Sequence, residues 1–134
     1  MKYLLALFAA TLMLGQDLSL VEPADLAKQI QSAHPPTVIC VAFPILYHGK
    51  HIPKAIYAGP GSKPEGIESL KKAVARLPKD ADLVIYCGCC PMEKCPNVRP
   101  AYAALKAMGF KRVRVLDVPT SMHTDWFSKG YPAE

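Results

Sequence analysis

The sequence predicts an α/β domain with a mainly parallel central sheet flanked by helices. Two runs, Thr37-Val38-Ile39-Cys40-Val41-Ala42 and Leu83-Val84-Ile85-Tyr86, are apolar and β-branched nearly throughout, as strands buried on both faces are. The segment between them places Ile67, Leu70, Val74 and Leu77 at helical spacing. Strands that alternate with helices in this way form βα units, and βα units join parallel strands.

The elements follow in order. Glu22-Pro23 opens a helix, with proline tolerated in its first turn, and Leu26 and Ile30 continue the spacing to about His34. Pro35-Pro36 ends it, and the strand 37–42 follows. Phe43 to Lys50 reads as irregular, and Gly59-Pro60-Gly61-Ser62 reads as a turn. The second helix is expected over 66–77 and the second strand over 83–86. A helix over 98–108 should stop at Gly109, Val113-Arg114-Val115-Leu116 forms a third strand, and Trp126 lies in a short last helix ended by Gly130.

The chain has 134 residues and is 51% hydrophobic, enough for one domain with its own core. Its formal charge of +5 is spread over scattered lysines and arginines. There is no arginine-rich run with interleaved aromatics, which argues against a nucleic-acid partner. At the N-terminus, Met1-Lys2 is followed by a dozen apolar residues to Leu14. One positive charge and a short apolar run form the n-region and h-region of a signal peptide, below the ~20 residues needed to span a bilayer. The expectation is a signal peptide over 1–19, a mature domain over 20–134 with no stable membrane span after processing, and an exported, periplasmic or secreted product.

Chemistry concentrates in Cys87-Gly88-Cys89-Cys90-Pro91-Met92-Glu93-Lys94-Cys95-Pro96-Asn97-Val98-Arg99-Pro100, which holds four of the five cysteines within nine residues. A strand, a cysteine, a loop and a helix in sequence present a sulfur at the carboxyl end of a parallel sheet, where ligands of such folds bind. A thiolate is the nucleophile, and cations or a helix N-terminus keep it deprotonated. Cys87, at the strand end, is the candidate nucleophile, weighed against an inert buried cysteine. Arg99 can pair with a sulfonate or phosphate-like anion in bidentate fashion, and Lys94 can add a point charge. Asn97 reads as an N-cap and Cys40 as a core residue. The four-residue gap between Cys90 and Cys95 allows a disulfide ring. Four sulfurs in one loop could also hold zinc or copper(I), but the second Cys-X-X-Cys pair of a zinc ribbon is absent, so no metal is assigned.

Several segments, in order, resemble the rhodanese-like sulfurtransferase domain. His51-Ile52-Pro53-Lys54-Ala55-Ile56 is similar to that family's Gly-His-Ile-Pro-Gly-Ala-Ile segment. Val84-Ile85-Tyr86-Cys87 resembles its strand ending in the catalytic cysteine, and the run from Arg99 to Phe110 resembles the helix that follows. Val113 to Asp117 and Trp126 to Pro132 resemble its closing strand and last helix. The resemblance implies a single rhodanese-like domain that moves sulfane sulfur from a small anionic, thiosulfate-like donor to cyanide or a thiol, protein thiols included. It implies a Cys87 persulfide, with no cofactor. The departures are Cys40-Val41-Ala42-Phe43 where the family has Asp-Val-Arg, Val118-Pro119-Thr120 where it has paired glycines, and a longer active loop, with twelve positions from Cys87 to Arg99. Two other readings stay open: a thiol–disulfide or metal-handling protein using Cys87, Cys89, Cys90 and Cys95, and a catalytically silent binding module.

Overall fold

The computed structural model describes residues 18–88 and 90–134. The expected signal segment up to residue 17, and Cys89, lie outside the described residues. Five strands form one sheet: β1 (Leu20–Val21), β2 (Thr37–Cys40), β3 (Ile56–Tyr57), β4 (Asp82–Tyr86) and β5 (Arg112–Leu116). Their order is β1-β5-β4-β2-β3, and every pairing is parallel. The apolar runs 37–40 and 83–86 are the two adjacent central strands, with Ile39 opposite Ile85 and Cys40 opposite Tyr86. Ile39, Leu83, Val84 and Ile85 are fully buried, as their unbroken apolar character requires.

Among the described residues, five α-helices accompany the sheet: α1 (Pro23–Gln29), α2 (Pro44–Gly49), α3 (Pro64–Val74), α4 (Val98–Ala107) and α5 (Met122–Asp125). Each of the first three begins at a proline, whose missing N–H costs nothing in a first turn. α3 buries Gly66, Leu70 and Val74 and packs against α4, which buries Val98, Ala101, Tyr102 and Leu105. Gly109 ends α4 with φ +93°, as its place in the sequence suggests.

The structure departs from the sequence reading at several elements: α1 ends at Gln29 and not near His34, and Trp126 lies between α5 and a 3-10 turn over Phe127–Lys129 and not inside a helix. The segment 43–50 contains α2 and is not irregular; this helix buries none of its residues, so it leaves no apolar stripe to detect. β1 and β3 add two strands to the three expected, and at two residues each they are too short to show a period.

From β2 the chain crosses to β3 at one edge and then returns to β4 on the other side of β2. The order therefore reverses between β2 and β4, and a crevice opens beyond their carboxyl ends. Cys40 and Cys87 sit there. No helix among the described residues is long and apolar enough to cross a membrane.

Candidate active site

β4 delivers Cys87 to the crevice. The Val41 N–H donates to the Tyr86 carbonyl at 2.9 Å, so pairing with the neighbouring chain extends to the residue before the cysteine. Cys87 is only 5% exposed. Gly88 follows with φ +117°, a conformation L side chains rarely adopt, and an added Cβ would lie 2.6 Å from Met122 Cγ. Glycine turns the chain off the sheet there and leaves room for Met122 above the sulfur.

The loop is tied down along its length. A turn of 3-10 helix covers Met92–Lys94, and the Met92 N–H donates to the Val118 carbonyl at 2.8 Å. Cys95 is a buried free thiol and Cys90 is half-buried; the Cys90–Cys95 bridge expected from the sequence is not formed in this structure. Cys89, the remaining loop sulfur, lies outside the described residues. Among the described residues, no three His, Cys, Asp or Glu side chains gather into a metal-binding group.

Asn97 closes the loop against the sulfur. It is 0% exposed, its Oδ1 accepts the Ser62 N–H at 2.9 Å, and its Nδ2 donates to Cys87 Sγ at 3.5 Å. A backbone N–H can only donate, so this bond identifies the oxygen end of the amide and turns the NH₂ end to the sulfur. Gly61 makes the contact possible, because a Cβ there would run into the Asn97 carbonyl oxygen. The sequence reading of Asn97 as an N-cap is corrected here. It occupies that position on α4 but makes no side-chain cap bond, because both ends of its amide are engaged by Ser62 and Cys87. The amide N–H thus reaches the sulfur at the start of a ten-residue helix, a donor and a dipole that both interact favourably with negative charge.

A small cleft, about 150 Å³, opens on Cys87. Its buried part is Cys40, Cys87 and Met122. Leu46 of α2 and Phe127 line its half-buried wall, and Lys50 and His123 are exposed at its mouth. Lys94 and Arg99 are exposed as well, but among the described residues neither lines this cleft. Nothing in the sequence places Lys50 or His123 beside Cys87, because they lie in separate segments far from it. His51, outside the cleft, orders its loop: Nδ1 is 3.0 Å from the Tyr47 carbonyl, and its ring stacks on Tyr47 at 4.0 Å.

Cys40 is the second sulfur of the cleft. Burial pushes its thiol up from 9.0 to about 11, partly offset by a hydrogen bond with the Ala42 backbone. A raised thiol pKa means that the thiolate appears only as pH climbs towards that value. Near neutral pH, a neutral alkylating reagent is therefore expected to modify Cys87 and leave Cys40 intact, with Cys40 labelled only in strong alkali. Peptide mapping across a pH series checks this. The same shift makes Cys40 contribute stability below 9.0 that is lost as pH rises through about 11, because the unfolded chain ionises first.

The rhodanese-like domain family model matches residues 22–118. Solved structures with similar folds include the rhodanese-like domain of an Anabaena protein, 21% identical, with a TM-score of 0.65 over 88% of this chain and 80% of that one. A single-domain sulfurtransferase from Saccharomyces cerevisiae is 18% identical, with a TM-score of 0.60 over 86% of this chain and 93% of its own. A thiosulfate sulfurtransferase from Pseudomonas aeruginosa is 26% identical, with a TM-score of 0.63 over 88% of this chain but only 19% of that much longer one. A comparison with curated protein sequences gives no match.

Proposed function

The chain belongs to the rhodanese-like domain family, and on that premise we propose that it is a sulfurtransferase with Cys87 as the sulfur carrier. The observation that carries this reading is the amide of Asn97, locked by Ser62 and turned towards Cys87 Sγ at the floor of an open cleft. A merely structural buried cysteine needs no such donor. The Cys87 thiolate attacks the outer sulfur of a thiosulfate-like donor. The donor's S–S bond breaks, and sulfite leaves with the bonding pair. The resulting persulfide passes its outer sulfur to cyanide or to an acceptor thiolate, and Cys87 leaves as thiolate, ready for another cycle. No cofactor enters this sequence of bond changes.

The test is direct. Reduced protein incubated with a sulfane donor should gain the mass of one sulfur, and cyanide should remove it. Absence of that gain with every sulfane donor tried would return the chain to a binding-module reading. The reading includes export, which rests on the apolar run from Tyr3 to Leu14 behind Lys2. Peptide mapping of protein from its native cells is expected to find the mature form without Lys2; an intact N-terminus in a cytosolic fraction would overturn it.

A further inference from the structure

We propose that the end of the domain opposite the Cys87 cleft docks on an anionic bilayer surface, through a groove lined by Lys106, Lys111, Arg112 and Arg114. Those cations are scattered in sequence, and the fold gathers them. The strands are parallel, so their amino ends share one end of the sheet with the carboxyl end of α4, and the Cys87 cleft lies at the other. The groove has a volume of about 310 Å³. Its one carboxylate, Asp82, is shared between Arg114 at 3.0 Å and Arg112 at 3.6 Å. Among the described residues no carboxylate pairs with Lys106 or Lys111, and both are exposed. On the adjoining turn Lys79 and Asp80 offset each other. Four cations against one carboxylate leave a local excess of three positive charges. The α4 dipole accounts for no more than Lys106, because it acts only within the last turn of the helix.

The entry point of the chain selects a bilayer over an acidic protein segment. Ser19 lines the groove at the amino end of β1, where its carbonyl accepts the Val115 N–H at 2.7 Å. The chain arriving from the apolar run Tyr3 to Leu14 therefore enters the sheet at this groove. A domain held at a membrane by that run during export has the groove against the lipid. Negative charge gathers at the other end. Glu22, just after β1, and Asp117, just after β5, lie close enough that Asp117 is the foremost cause raising the Glu22 pKa, with Asp25 adding to it. An anionic surface thus attracts one end of the domain and repels the other. Docking in that orientation leaves the Cys87 cleft facing the aqueous phase, open to soluble donors and acceptors.

The experiment measures sedimentation of the protein, purified from its native cells, with vesicles of phosphatidylcholine alone and of an equal mixture with phosphatidylglycerol. Binding is expected to the mixed vesicles only, and should fall steeply as salt screens the groove. Lys106→Gln combined with Lys111→Gln should weaken it about twentyfold, since each cation near an anionic leaflet is worth about fivefold in partitioning. Cys87 in that variant should be alkylated at the wild-type rate, which reports an intact fold. Lys63→Gln combined with Lys129→Gln removes the same charge outside the groove and should change binding less than about twofold. Equal binding to both kinds of vesicle, or equal losses in the two double variants, overturns the proposal. Capture of a polyglutamate peptide without binding to mixed vesicles would assign the groove to an acidic protein partner and overturn it as well. None of these outcomes depends on sulfur transfer, so the docking proposal and the sulfurtransferase reading fail separately.

Discussion

Replacing Cys87 with serine should abolish formation of cyanide-labile persulfide, lowering turnover at least about a thousandfold, as loss of a covalent nucleophile does. Serine keeps the strand end and the size of the side chain, so the sheet should be unaffected. Cys40→Ser should still load sulfur, because the Cys40 thiol stays protonated until far above neutral pH. Intact-mass measurement on the two variants after incubation with donor decides the matter. Persulfide surviving in Cys87→Ser would move the carrier to another sulfur, with Cys95 the first to examine.

Removing the Asn97 amide should cost the next largest share of activity. A hydrogen bond to a charged partner contributes about 1.5–3 kcal/mol, and its loss lowers the thiolate fraction near neutral pH by roughly ten- to a hundredfold. Asn97→Ala is therefore expected to shift the pH profile of Cys87 alkylation to higher pH. Asn97→Asp should shift it further, because a carboxylate replaces a donor beside a negative sulfur while still accepting the Ser62 N–H. Activity in both variants should recover in part as pH rises. If Asn97→Ala lowers the melting temperature but leaves the alkylation profile where it was, Asn97 is only a strut for the loop.

What could be read beforehand followed from local pattern. The strands around Val38 and Val84 are buried on both faces and announce themselves in composition, and α3 and α4 carry clear apolar stripes. Cys87 was legible because it directly follows such a strand. α2 was not, since none of its residues is buried and Ile45 is 79% exposed. Asn97 was misread because an asparagine before a helix ordinarily caps it, and nothing local reveals a backbone donor at Ser62. Lys50 and His123 meet Cys87 only through the fold, one arriving from the end of α2 and the other from α5. Side chains that converge from three separate segments leave no spacing to count.

The Asn97–Ser62 clamp also bears on how this chain can change. Chain leaving β4 is fixed by strand pairing at Tyr86, and chain entering α4 is fixed at Asn97, so the intervening loop is anchored at both ends independently of its length. The exposed side chains of Glu93 and Lys94 can therefore change while the sulfur and its amide donor stay in place. Reaction geometry and loop sequence become separately variable properties. A library confined to Glu93 and Lys94 would vary the exposed face of the loop and leave the Asn97–Cys87 contact in place.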